Sequence, residues 1–248
     1  MRRFFAFFIL AAVLCGLTSG HAGASSPAPV VTDNAGDHNY EGNTARPVRS
    51  YLMAGNGSFM TRVEYTGDRI TVESYNETGQ IQSQQDLAVE LPLFGGFYSG
   101  DQYNFFVFGQ ENPEEDDGRE VIRVVRYTKD WRRLDDARLT GANTVTPFHA
   151  GSLCMVQCGD MLYIRTSHKM YQNPSDGLNH QANLTFCVQI STMEVTDRHT
   201  AVSRFGFGYV SHSFNQFLAL RDTTLLAADH GDAYPRAVVL SRCARPGG

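Results

Sequence analysis

The sequence predicts an all-β protein, a propeller-like array of about four antiparallel blades, on three observations. From Ser50 onward, short runs rich in β-branched and aromatic residues alternate with Gly, Asn and Asp turn signals, the pattern of strands in a sandwich, barrel or propeller. No stretch of a dozen residues carries apolar side chains at helical spacing, which removes helices from the expected core. The runs also recur in units of roughly 40 to 50 residues, the period of a propeller blade. A β-sandwich is the alternative that the same patterning permits.

The first unit runs from Phe59 to Tyr65, turns at Thr66-Gly67-Asp68, continues through Ile70 to Tyr75, turns again at Asn76 to Gly79, and ends in Gln80 to Val89. The second opens at Phe94-Gly95-Gly96-Phe97 and passes through Tyr103 to Phe108. It crosses an acidic loop, Glu111 to Gly118, and closes with Val121 to Tyr127 and Trp131 to Leu139. The third has Leu153 to Gln157, a Gly159-Asp160 turn, Met161 to Thr166, a polar loop, and Leu184 to Ile190. The fourth has Tyr209-Val210, Phe217 to Leu220, Leu225 to Ala228 and Ala237 to Leu240. The run Tyr103-Asn104-Phe105-Phe106-Val107-Phe108 is apolar on both faces, as a blade packed between two neighbours must be. The fourth unit is short, and Pro246 with Gly247 and Gly248 disfavours another strand after it. The array is therefore expected to be incomplete, its last blade covered by the N-terminal segment or by a partner subunit.

Residues 1–24 read as a signal peptide. Met1-Arg2-Arg3 is positive, Phe4 to Leu17 is an apolar run shorter than the roughly 18 residues of a membrane span, and Ala22-Gly23-Ala24 fits the A-x-A cleavage pattern. Residues 25–49, rich in Ser, Pro, Ala, Gly and Asn, read as a leader or linker, and residues 50–248 as the β domain. Acidic and basic residues are interleaved, with a formal net charge of −5, so no basic footprint for nucleic acid or an anionic membrane is present. Export leaves four disulfide candidates, Cys154, Cys158, Cys187 and Cys243. Cys154 and Cys158 lie on one expected strand, where about 3.3 Å per residue separates them by roughly 13 Å, beyond the roughly 7 Å limit for a bridge. Asn56, Asn76 and Asn183 stand in N-x-S/T sequons.

Three polar clusters interrupt the strand pattern: Asp176-Gly177-Leu178-Asn179-His180-Gln181, Ser211-His212-Ser213-Phe214-Asn215-Gln216, and Asp229-His230-Gly231-Asp232-Ala233-Tyr234-Pro235-Arg236. With Phe94-Gly95-Gly96-Phe97-Tyr98 and Gly109-Gln110-Glu111-Asn112, they resemble an uncharacterised family of secreted bacterial β-propeller proteins, over roughly Leu91 to Cys243. That resemblance implies the fold and an extracellular location, and brings no reaction with it. On their own chemistry the clusters supply hydrogen-bonding groups that either line a pocket at strand ends or satisfy turns. The ligand-binding candidates are His180, Gln181, His212, Asn215, Gln216, His230, Asp232 and Arg236. Asp229 and Asp232 offer carboxylates to a calcium ion but lack the spacing of a calcium loop; no other cofactor is indicated.

No G-x-S-x-G elbow, H-E-x-x-H pair or phosphate loop is present. The leading expectation is a secreted binding or interaction module whose ligand is a glycan or cell-envelope material. One alternative is an extracellular hydrolase or lyase acting on a polysaccharide or ester, with His180, His212 or His230 as the acid/base group and Arg236 as the anion clamp. The other is a structural subunit that completes a ring with a copy of itself or another partner. Export is the part that one measurement settles: N-terminal sequencing of protein recovered from culture medium should start at or near Ser25. Intact Met1 in a soluble cytoplasmic pool would overturn it.

Overall fold

Four antiparallel meanders, each formed by strands that follow one another in sequence, carry most of the fold. The structure is a computed structural model of the chain, and it describes residues 40–41, 44–54, 57–205, 208–210, 213–222, 224–231 and 237–243. A two-residue hairpin, β1 (Tyr40–Glu41) and β2 (Thr44–Ala45), precedes the first sheet. That sheet holds β3 (Ser50–Ala54), β4 (Met60–Tyr65), β5 (Arg69–Tyr75) and β6 (Ile81–Ala88) in this order. The second holds β7 (Leu93–Ser99), β8 (Tyr103–Gly109), β9 (Glu120–Thr128) and β10 (Arg133–Thr140). In the third, β11 (Thr146–Pro147) and β12 (Cys154–Cys158) both pair with the long β13 (Met161–Gln172), followed by β14 (Asn179–Gln189) and β15 (Glu194–His199). A hairpin of β16 (Ser203–Phe205) and β17 (Gly208–Val210) leads to a three-stranded fourth sheet of β18 (Ser213–Arg221), β19 (Thr224–Gly231) and β20 (Ala237–Cys243).

The sheets stack face to face in series, as blades do. Strand alternation sends Phe105 and Val107 of β8 into a cluster with Leu162, Ile164, Leu184 and Phe186 of the third sheet. Phe106 and Phe108, on the opposite face of the same strand, join Val63, Ile70 and Val72 of the first sheet. A smaller cluster, with Tyr163, Cys187 and Leu225 buried, joins the third sheet to the fourth. Strand β12 lies beside both β7 and β18, while β10 lies beside β15. First strands thus gather on one side and last strands on the other, the radial order of a propeller and not that of a two-sheet sandwich. Two hydrogen bonds fix β12 and β18 side by side in the same direction: Ser152 N–H to Gln216 Oε1 at 3.0 Å and Leu218 N–H to Cys154 Sγ at 3.3 Å.

The turns follow the chemistry of their residues. Asn76 closes the β5–β6 turn by accepting from the backbone N–H groups of Thr78 and Gln80 at 3.1 and 2.8 Å, and Gly79 takes a φ of 77° there, which a side chain disfavours. Cys154 and Cys158 bound β12 and carry free thiols. Cys187 is buried, and Cys243 ends β20 with its side chain outside the described residues. Among the described residues no helix is long and apolar enough to cross a membrane.

The outer faces of the first and fourth sheets differ. On the first, Arg62 bridges two buried carboxylates, Glu64 at 2.8 Å and Glu73 at 3.3 Å, and the Tyr75 hydroxyl donates to Glu73 at 2.6 Å. On the fourth, register puts Phe217 and Leu240 on one face across Ala228, and both are exposed, as is Val238.

One contact locks the second sheet to the third. The Phe148 ring lies against Gly95 of β7 and Gly109 of β8, so closely that a Cβ on either glycine would sit 2.6 or 2.7 Å from ring carbons. Gly109→Ala should therefore lower stability by about 1–3 kcal/mol through overpacking. The same change in a Phe148→Leu background should cost much less, because the two sites share one contact. Urea unfolding of the four variants measures the coupling, and additive effects would show that ring and glycines do not constrain each other.

Candidate functional site

A concavity opens at the end of the array where the first strands begin. Arg46, Pro47 and Arg49 lead into β3, Pro92, Leu93 and Phe94 start β7, and Thr146 to Ala150 precede β12; with Tyr65 they line a cavity of about 360 Å³. Tyr65 ends β4 beside the start of β3, its N–H donating to the Arg49 carbonyl at 2.8 Å. Its ring stacks on Phe94, with centroids 4.5 Å apart and planes 11° apart, and the Arg49 guanidinium carbon lies 5.8 Å above the Tyr65 centroid. Arg46 and Arg49 fall in the stretch that the sequence assigns to a leader, yet both help form this wall.

The segment from Gly141 to Ala150 is the most strained part of the site. Ala142, Asn143, Phe148 and Ala150 have φ values of 51°, 51°, 60° and 52°, in a region that costs a non-glycine residue on the order of 1–3 kcal/mol. Directional bonds over-determine the segment. Val145 N–H donates to the Lys169 carbonyl and Phe148 N–H to the Ser167 carbonyl, both at 2.8 Å. The His149 carbonyl accepts from Ser167 Oγ at 2.6 Å and from Gln181 Nε2 at 3.3 Å. Buried Asn112 ties the acidic loop to this segment, donating to the Thr144 carbonyl at 3.2 Å and to the Tyr171 hydroxyl oxygen at 3.0 Å. The outcome is that the exposed His149 imidazole stands at the cavity between two left-handed residues. Desolvation, then the Lys169 charge, lower its pKa from the usual 6.5, so it is neutral at pH 7.

A second histidine supports the site from beneath. His168 is fully buried on β13 opposite Pro147, with Nδ1 2.7 Å from Thr144 Oγ1, and that hydroxyl is 2.9 Å from the Ala142 carbonyl. Burial pushes its pKa down to about 3, helped by the His199 charge.

The residues expected from sequence are distributed as follows. His180 on β14 is held by Asp176, Nε2 to Oδ2 at 2.8 Å. His230 on β19 is exposed and level with Phe214. Strand register places both at the cavity's end of the array, but neither lines the cavity. Gln181 supports the His149 turn. Asn215, at φ 56°, forms part of the bulge between Phe214 and Phe217, and Gln216 is buried there. Gln216 accepts from Ser152 and donates to Asn183 Oδ1 at 3.1 Å, which leaves the Asn183 sequon buried. Asp229 is buried against Arg165 at 2.5 Å, and among the described residues no three His, Cys, Asp or Glu side chains gather as metal ligands. His212, Asp232 and Arg236 lie outside the described residues. Sequence reading missed Arg46, Arg49, Tyr65, His149 and His168; the one local signal was the Arg-Pro-Val-Arg tetrapeptide of residues 46–49.

No family model matches the chain, and no curated protein matches it. Among solved structures it is similar to a phage phi92 endosialidase, with a TM-score of 0.47 and 10% identity over 76% of this chain and 34% of that one. It is also similar to an exo-1,5-alpha-L-arabinanase from a bovine ruminal metagenomic library, with a TM-score of 0.39 and 12% identity over 85% and 77% of the two chains. A third is a glycoside hydrolase family 43 arabinoxylan arabinofuranohydrolase from Bacillus subtilis, solved with cellotetraose, with a TM-score of 0.42 and 10% identity over 80% and 47%. The chain thus spans 34% of the endosialidase's length and 47% of the arabinofuranohydrolase's. Identities of 10–12% carry no site residue across, and the propeller-like fold rests on the sheets described above.

The buried histidine makes the site acid-sensitive. With a folded pKa of about 3 against an ordinary 6.5, the unfolded chain binds the extra proton between those values, so stability falls as pH drops through that window. The contribution of His168 to the slope approaches about 1.4 kcal/mol per pH unit. Urea unfolding between pH 7 and pH 4 should show that component in the wild type and lack it in His168→Gln; identical slopes would rule it out.

Proposed function

We propose that this chain is an exported module that holds a glycan in the cavity at the starting end of its blades. The observation that carries the reading is the His149 turn: backbone strain on both sides of an exposed imidazole, maintained by a glycine cleft and buried hydrogen bonds, at the mouth of this concavity. Strain of that kind persists only where the surrounding structure over-determines it, and it clusters at active sites and ligand clamps. The lining pairs apolar faces of Pro47, Pro92, Leu93 and Phe94 with donors from Arg46, Arg49 and Tyr65. A sugar offers the complement, C–H faces and hydroxyl groups, and pockets of this make-up bind small polar ligands.

A second reading, hydrolysis of a polysaccharide, is favoured by the same imidazole. A neutral, exposed His149 is a competent proton acceptor near pH 7. One experiment separates the two. Calorimetric titration of the chain from Ser25 onward with neutral oligosaccharides should give saturable binding, and His149→Ala should weaken it by roughly 2–10-fold, the worth of one hydrogen bond. The melting temperature should stay unchanged. Release of reducing ends that vanishes in His149→Ala would replace the binding module with a hydrolase. Binding indifferent to His149 would move the site elsewhere.

A further inference from the structure

We infer that Ser167 is the positioning residue of this cavity, a role that rests on the ligand reading above: it grips residues 148 and 149 from one side and so sets where the His149 imidazole stands. Its carbonyl accepts from the Phe148 N–H at 2.8 Å, and its hydroxyl donates to the His149 carbonyl at 2.6 Å. Ser167 is fully buried on β13, where a hydrogen bond is electrostatically stronger than in water. The two bonds fall on successive residues inside the strained turn, with Phe148 at φ 60° before the imidazole and Ala150 at 52° after it. Such a backbone keeps its shape only while its peptide groups are held.

The chain is shaped around this hydroxyl. Gly151 passes so close that a Cβ there would sit 2.0 Å from Ser167 Oγ and 2.8 Å from Gln216 Oε1. A side chain at 151 would push the hydroxyl off the His149 carbonyl, so the close approach needs glycine. The next two residues of β13 hold other parts of the segment: His168 Nδ1 meets Thr144 Oγ1, and the Lys169 carbonyl accepts from the Val145 N–H. Gln181 Nε2 reaches the same His149 carbonyl, but at 3.3 Å, beyond the usual range for such a bond. The serine is therefore the tighter restraint on the residue that carries the imidazole. Buried beneath the turn, it acts through His149 and not on a ligand.

The imidazole itself supplies the test. Desolvation, then the Lys169 charge, hold the His149 pKa below 6.5, and a ring released from its place meets more water, which moves its pKa back up toward that value. NMR titration should show this rise in Ser167→Ala, the His149 resonance being identified by its loss in His149→Ala. Ser167→Thr, which keeps the hydroxyl, should restore the wild-type titration. Calorimetry with the same neutral oligosaccharides should show Ser167→Ala weakening binding by roughly 2–10-fold, no more than His149→Ala does, with no further loss when the two are combined. Should Ser167→Ala fail to fold, Ser167→Cys, close in shape but a weak donor, takes its place in the titration. An unchanged His149 titration in the folded variant, or a loss of affinity that adds to that of His149→Ala, overturns the inference. Absence of oligosaccharide binding in the wild type overturns the ligand reading instead, and the titration still decides the role of Ser167.

Discussion

The second sheet has no face to water, and the rest of the architecture depends on that. Phe105, Phe106, Val107 and Phe108 of β8 are all fully buried, two toward each side. A strand with this pattern is stable only when both of its faces are covered, so the first and third sheets are obliged to pack against it. At roughly 25 cal/mol per Å² of apolar surface, burying such side chains is the dominant favourable contribution. Stacking in series with a twist between neighbours brings the first strands together, and their starting ends enclose the cavity. The position of the site is thus a consequence of covering β8 on both sides.

A cavity built from loop residues still needs rigid walls, and the glycines of the second sheet supply them. Gly95 and Gly109 lack the side chains that would fill the cleft taken by Phe148. Phe148 inserts at the cost of a left-handed backbone, which its burial and the Ser167 and Lys169 carbonyls offset. Because Phe148 precedes His149 directly, the packing of an apolar ring sets where an imidazole stands. His168 and Asn112 extend the same arrangement downward and sideways through Thr144. The polar residues that define the site geometry are mostly buried ones that never meet a ligand.

Much of the fold was legible because turns and alternation are local. Asn76 to Gly79 and Gly159-Asp160 close hairpins as their chemistry requires, and the strands from β4 to β10 fall within one or two residues of the runs read from sequence. Among the strands of five residues or more, two escaped. Strand β3, Ser50–Ala54, has little alternation of its own, and β15, Glu194–His199, is a polar edge whose pairing with β14 is decided by its neighbour. The polar stretch between Thr166 and Leu184 was read as a loop, whereas β13 runs on to Gln172 and β14 begins at Asn179, since each gives the other a ladder to join. The cavity was not legible at all. Its wall comes from Arg46, Pro47, Arg49, Tyr65, residues 92–94 and 146–150, brought together by topology and marked by no spacing. Polar clusters were visible, but sequence alone does not tell a glutamine that holds a turn, as Gln181 does, from one that meets a ligand.

The fourth sheet is held by a different kind of contact from the other three, and this bears on how the site is completed. Its apolar cluster is small, and the junction with the third sheet instead relies on the buried Arg165–Asp229 pair, the Ser152–Gln216–Asn183 bonds and the Cys154–Leu218 contact. A buried ion pair contributes little net stability over an apolar pair of similar volume, because desolvation offsets its attraction, but it is costly to break and tolerates few geometries. Directional bonds of this sort specify register more than they add energy. They set residue 216 level with residue 152, and so bring the start of β18 up beside the segment that leads from His149 into β12. Apolar burial therefore builds the three sheets around the cavity, and hydrogen-bonded register then sets the fourth beside them.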